Sequence, residues 1–211
     1  MSRYRTIRRD AVAEIEVKRS RFRCVVERVA TEDDARAVVE RLRAEYRDAR
    51  HHCSALVLGP GSPDGEVERA HDDGEPSGTA GAPMLEVLRG AEVADVVAVV
   101  TRWFGGTLLG AGGLVRAYSD AVRVAVEQAG TRERALLHEL DLTVGHAEAG
   151  RIESDLRARG MVVLDTGYGA DVSLLLGVEP DQEQTLHAAL AELTGGRMEA
   201  TRVGERWVDV G

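Results

Sequence analysis

A chain of 211 residues with 44% apolar side chains can fill one large domain or two small ones, and at 4% aromatics its cores must rest on Val, Leu and Ala. The formal net charge of −9 argues against general affinity for nucleic acid, and two cysteines, Cys24 and Cys53, exclude a disulfide framework. A charged N-terminus and the lack of an apolar run of transmembrane length predict a cytoplasmic protein with no membrane partner.

The charge is uneven. Residues 1–50 hold 14 basic and 10 acidic side chains, whereas residues 131–211 hold 8 and 15. A local basic patch is therefore available in Arg3, Arg5, Arg8, Arg9, Lys18, Arg19, Arg21 and Arg23. Lys18 is the only lysine, so arginine is the default cation of this chain and its use alone carries little information.

Taken in chain order, Ala13, Ile15 and Val17 alternate, as do Phe22, Cys24 and Val26, which predicts a pair of early strands. Thr31 reads as an N-cap followed by Glu32, Asp33 and Asp34, and the helix it opens carries Ala35, Val38, Val39, Leu42 and Tyr46 on one face. A strand is expected over HHCSALVLG, then a GPGSPDG turn and a short strand over residues 66–70. Residues 71–79 read as a polar loop, and Pro83 lies in the first turn of a helix that reaches about Leu88. The apolar run of residues 95–102 predicts a strand covered on both faces. After a glycine-rich loop, Leu114, Tyr118, Ala121, Val122, Ala125 and Ala129 fit one helix face, with Gly130 as its stop.

A second unit follows. Leu140, Leu142 and Val144 alternate as a strand, Ala149, Ile152 and Leu156 mark a helix, and MVVLDT and DVSLLLGV form two strands around a GYGA turn. Leu186, Ala189, Leu190 and Leu193 mark another helix, ended by Gly195, and a last strand falls within residues 197–209. The order β-α-β-β-α-β is the ferredoxin-like pattern, so the fold class expected is α+β with two domains, 1–132 and 133–211. An RNA-recognition sheet is not expected in the second, because its middle strands carry no aromatic for base stacking.

Three segments could carry chemistry. TRWFGGTLLGAGGLVRAYSD (101–120) leads from a strand through Gly105, Gly106, Gly110, Gly112 and Gly113 into a helix, between Arg102 and Arg116. Backbone N–H groups at such a helix start can cradle phosphate, and two arginines favour an anion-facing loop. The dinucleotide and Walker fingerprints both fail, since no G-x-G-x-x-G is completed and no lysine is present. HDDGEPSGT (71–79) offers His71, Asp72, Asp73 and Glu75 as metal ligands or as general acid and base. The plainer reading is that Ser77 or Thr79 caps the next helix while the carboxylates order the loop. In HHC (51–53), His52 and Cys53 are consecutive on a strand and point to opposite faces, so they do not form a Cys–His pair with each other.

AHDDGEPSGTAGAPML (70–85) and VVTRWFGGTLLGAGGLVRAYSDAV (99–122), together with KRSRF (18–22) and the spacing of Ala49, His51, Cys53 and Ala55, resemble the sequence pattern of the YigZ/IMPACT family. The likeness covers residues 10–130. It implies a first domain with the β-α fold shared with a small-subunit ribosomal protein domain and ribonuclease PH, and a second domain akin to a C-terminal domain of elongation factor G. Eukaryotic members are implicated in regulating translation, by competing for an activator of a starvation-responsive kinase. This chain lacks their extra N-terminal interaction domain, so that partner is not carried over.

The expectation is a non-enzymatic, translation-associated protein that binds structured RNA, the ribosome or a translation factor. Binding would run through Arg102, Arg116, the loop glycines, Ser77 and Thr79. No metal or cofactor is expected, and a monomer is favoured. The alternatives are a metal-assisted hydrolase built on His71, Asp72, Asp73 and Glu75, and a pure protein-interaction module.

Overall fold

A computed structural model describes residues 2–210. The chain divides into two compact units, one spanning Tyr4–Glu133 and the other residues 2–3 with Arg134–Val210. The architecture is α+β, with a separate sheet and core in each unit. No helix among the described residues is long and apolar enough to cross a membrane.

The first unit holds β1 (Arg3–Ile7, from its second residue), β2 (Ala11–Val17), β3 (Ser20–Arg28), α1 (Glu32–Glu45), β4 (His51–Leu58), β5 (Val67–His71), α2 (Gly81–Gly90), β6 (Val96–Trp103) and α3 (Ala111–Ala129). Its antiparallel sheet has the order β2-β3-β6-β4-β5. β6 explains why helices cover both faces of this sheet. Val96, Ala98 and Val100 enter one core, packed with residues of α2 and α3, while Val97 and Val99 enter the other, under α1. All five are at most 1% exposed, and each fully buried Val contributes about 1.5–3 kcal/mol relative to exposure. The run has no polar alternation because neither face meets water.

Local signals set the helix ends. The Thr31 side chain accepts the Asp34 N–H, and the Asp34 carboxylate accepts the Thr31 N–H, which completes a capping box. Gly130 closes α3 with a φ of 63°. The strand β1, RYRTI, has no counterpart among the predicted elements, because its arginines hide the apolar side of the pattern. Ile7 nonetheless is fully buried.

The second unit holds β7 (Thr131–Val144, from Arg134), α4 (His146–Ala158), β8 (Val162–Tyr168), β9 (Val172–Val178), α5 (Glu183–Thr194) and β10 (Thr201–Val210). Its sheet runs β7-β9-β8, with β10 also on β7, and the Leu136 N–H donates to the Ser2 carbonyl. This is the expected β-α-β-β-α-β order. Leu140, Leu142, Leu174 and Leu176 alternate towards the helices and are fully buried with Ile152, Leu156 and Leu186. Gly195 ends α5 in the left-handed conformation.

Candidate functional site

The acidic loop between β5 and α2 is built by its own carboxylates. Asp72 accepts the N–H groups of Gly78 (2.7 Å), Ala80 (3.0 Å) and Gly81 (2.8 Å), and so caps α2 from well upstream. Neither Ser77 nor Thr79 supplies that cap. Ala80 occupies the N-cap position, the Thr79 hydroxyl donates to the Pro76 carbonyl (2.6 Å), and Ser77 is exposed. Burial pushes the Asp72 pKa up, but the three backbone donors, led by Gly78, outweigh it and hold the group below its ordinary 3.8. Asp73, with a φ of 44°, accepts the His52 N–H (2.7 Å) and pairs with Arg43.

Glu75 turns inward instead. It is 9% exposed, and its Oε1 accepts from Arg102 Nη1 (2.6 Å) and from the Tyr118 hydroxyl (2.8 Å). Arg102 was expected to face an anion. It is 6% exposed, paired with Glu75, with its guanidinium 5.4 Å from the Phe22 ring and 5.8 Å from the Phe104 ring. A buried guanidinium requires a counter-charge, and Glu75 supplies it. The Cys53 Sγ extends this network, 3.3 Å from the Tyr118 hydroxyl and 3.0 Å from the Asp72 carbonyl. Burial pushes the Cys53 thiol up to about 12, which keeps it protonated and a poor nucleophile.

The acidic cluster therefore does not converge. Asp72, Asp73 and Glu75 serve three different sets of partners, and His71 sits exposed on β5 opposite Ser54. Among the described residues no group of three or more His, Cys, Asp or Glu is arranged to hold a metal ion. A cleft of about 460 Å³ opens beside Asp73, lined by His52, Arg36, Arg43 and Arg69 among others. Each of these arginines has an acidic partner, Asp33, Asp73 and Glu32 respectively. His52 has its pKa lowered by burial, with Asp73 opposing. It faces this cleft while Cys53 faces the opposite core, as strand alternation requires.

The glycine loop is different. A Cβ on Gly105 would lie 2.0 Å from the Arg19 carbonyl carbon, so only glycine permits this approach of two backbones. Gly106 and Gly110 hold φ values of 86° and 72°. Gly112 has open space around it, and Gly113 abuts the Leu109 side chain. The Gly105 N–H donates to Ser20 Oγ (3.1 Å) and Arg19 Nη2 to Thr107 Oγ1 (3.2 Å), which joins the loop to the β2–β3 turn. Phe104 is 49% and Leu108 83% exposed. Arg116 is exposed and makes no hydrogen bond or ion pair among the described residues, and α3 opens at Gly110 without a side-chain cap.

The basic patch expected near the N-terminus is divided. Arg5 pairs with Glu92, Arg9 donates to the Gln128 carbonyl, Arg23 pairs with Glu14, and Arg21 lies 4.0 Å over the Trp103 ring. Lys18 and Arg19 remain exposed beside the glycine loop. Sequence reasoning did not find Tyr118 and Arg102 as partners of Glu75, nor Cys53 as a partner of the Tyr118 hydroxyl. Strand alternation placed Cys53 opposite His52, but which groups met its thiol depended on the paths of the acidic loop and α3.

Known proteins resemble the chain along most of its length. The Impact N-terminal domain model matches residues 18–126, and a model described as a domain of unknown function, DUF1949, matches residues 142–197. The IMPACT family member YvyE of Bacillus subtilis is 38% identical over 194 residues, covering 92% of this chain and 88% of its own. The IMPACT family member YigZ of Escherichia coli is 38% identical over 191 residues, covering 90% and 93%. A crystal structure of a hypothetical protein is 34% identical, with a TM-score of 0.65 over 96% of this chain and 98% of that one.

Proposed function

The chain belongs to the IMPACT family, and from that membership we propose that it is a non-enzymatic, translation-associated protein that binds structured RNA through the glycine loop and the start of α3. The observation that carries this reading is the company Arg116 keeps: an unpaired cation near an uncapped helix start, in the segment that exposes Phe104 and Leu108. RNA recognition needs cations and helix N–H groups for phosphate and a ring face for an unstacked base, and this segment supplies all three. A net charge of −9 makes the rest of the surface a poor partner, which favours binding confined to one patch.

Arg102 lies beneath the loop on Glu75 and the Phe104 ring rather than facing a ligand, and Ser77 and Thr79 lie on the other loop, where Thr79 bonds the Pro76 carbonyl. A metal-assisted hydrolase is disfavoured because its carboxylates point to separate partners. The test is titration of ribosomal particles and of a labelled RNA stem-loop at several salt concentrations. Arg116→Ala should weaken binding by about 1–3 kcal/mol and make the salt slope shallower by about one phosphate contact, with stability unchanged. Wild-type protein with no salt-sensitive binding would refute the RNA reading and put the protein-interaction module first.

A further inference from the structure

The connection between β2 and β3 is a two-residue hairpin. Val17 and Ser20 are register partners, and only Lys18 and Arg19 lie between them. Both residues have left-handed backbone, with φ values of 48° and 65°. A hairpin loop with both central residues left-handed strongly favours Asn-Gly, because a Cβ there crowds the following carbonyl. Here two long basic side chains occupy both positions, one of them the only lysine of the chain.

The surrounding structure holds this turn in place. The Gly105 backbone presses on it so closely that a Cβ would lie 2.0 Å from the Arg19 carbonyl carbon and 2.4 Å from the Ser20 nitrogen. Two hydrogen bonds, Gly105 N–H to Ser20 Oγ and Arg19 Nη2 to Thr107 Oγ1, fasten the same contact. Both side chains are exposed, and Lys18 makes no hydrogen bond or ion pair among the described residues. Residues held in an unfavourable backbone conformation by a well-packed neighbour concentrate at functional sites.

We propose that the Lys18–Arg19 tip is a phosphate-gripping point of this molecule. The left-handed turn presents adjacent cations against Gly105 and Thr107, in the loop that exposes Phe104 and Leu108, and a relaxed Asn-Gly turn would fold better but carry no charge. The inference rests on the RNA reading of the glycine loop and extends it by naming cations outside that loop. The ligand group is a backbone phosphate of RNA, which a point-charge ammonium and a planar guanidinium can share.

Two double variants test it against a fluorescein-labelled RNA stem-loop. Lys18→Asn/Arg19→Gly should raise Tm by about 2–4 °C while lowering affinity about tenfold or more. Its salt slope should be shallower by about 1.5–2, the release of counterions from two phosphates. Lys18→Gln/Arg19→Gln keeps the strained backbone without the charge and gives up the Arg19–Thr107 bond, so it should lose the same affinity with a Tm no higher than that of wild type. Either variant binding like wild type, or an Asn-Gly variant no more stable than wild type, would overturn the proposal. Wild-type protein that fails to bind removes this proposal and the RNA reading together, whereas wild-type binding with unaffected variants removes only this one.

Discussion

Arg102 and Arg116 flank the same glycine loop, yet their surroundings are opposite. Arg102, on β6, is 6% exposed and enclosed by Glu75, Phe22 and Phe104. Arg116, early on α3, is exposed and has no partner among the described residues. The difference follows from the elements that carry them. The side chain at position 102 points from a central strand beneath two loops, where a charge persists only with a counter-charge. Position 116 lies on the solvent side of an amphipathic helix whose other face holds Leu114 and Tyr118. An arginine beside a glycine loop is thus no indicator of an anion site until the burial of its strand or helix position is known.

The strongest way to break this comparison is to remove the counter-charge. Glu75→Ala leaves Arg102 buried without its acid and Tyr118 without its acceptor. The expected cost is about 3–5 kcal/mol, read as a lower urea midpoint for the first unit. Arg116→Ala, scored in the same assay, should move the midpoint by less than about 0.5 kcal/mol. Equal losses would mean that Arg116 also has a structural role and that the two arginines are not distinct.

Much of the framework needed for this contrast was legible in the sequence. The apolar run of β6 signalled a strand covered on both faces, Thr31 before Glu32, Asp33 and Asp34 signalled the N-cap of α1, and the alternation of Leu140, Leu142 and Val144 signalled a strand of the second core. What stayed hidden depends on chain paths rather than on local pattern. Asp72 caps a helix from beyond a turn, in place of the nearer Ser77 or Thr79, because the loop folds back and brings three N–H groups to one carboxylate. Glu75 meets Arg102 only after β6 and the acidic loop are placed side by side. The Lys18–Arg19 turn runs against local propensity, so the alternating runs on either side gave the two strands but not the tight turn between them or its left-handed backbone.

The Asp72 cap sharpens the contrast between carboxylates that order a loop and carboxylates that neutralise a buried cation. Asp72→Asn keeps the shape but leaves only one oxygen acceptor, and the expected loss at neutral pH is about 0.5–1.5 kcal/mol. The folded pKa of Asp72 lies below its ordinary 3.8. Its contribution is therefore complete above that value and fades as pH falls through the folded pKa. Urea midpoints of wild type and variant should differ at neutral pH and converge in acid. A gap that does not narrow below pH 3.8 would show that the carboxylate charge is not what holds the loop.

The smallest expected effect on stability separates the two remaining classes of partner. Phe104 and Leu108 both stand on the glycine loop, 49% and 83% exposed, so Phe104→Leu and Leu108→Ala should each alter stability by about 0.5 kcal/mol or less. Their effects on binding should differ. An RNA base stacks on a ring face, and leucine keeps apolar volume without that face, so Phe104→Leu should weaken RNA binding by about 1–3 kcal/mol. Leu108→Ala removes an exposed aliphatic group that phosphate and sugar do not need, and should change RNA affinity by less than about twofold. A protein partner would reverse the order, since a projecting leucine is a natural anchor for an apolar pocket and a Phe-to-Leu change preserves most of the buried area. Measuring both variants against the same ribosomal particle therefore reads the chemistry of the contact directly: greater loss at position 104 supports RNA, and greater loss at position 108 transfers the site to a protein surface.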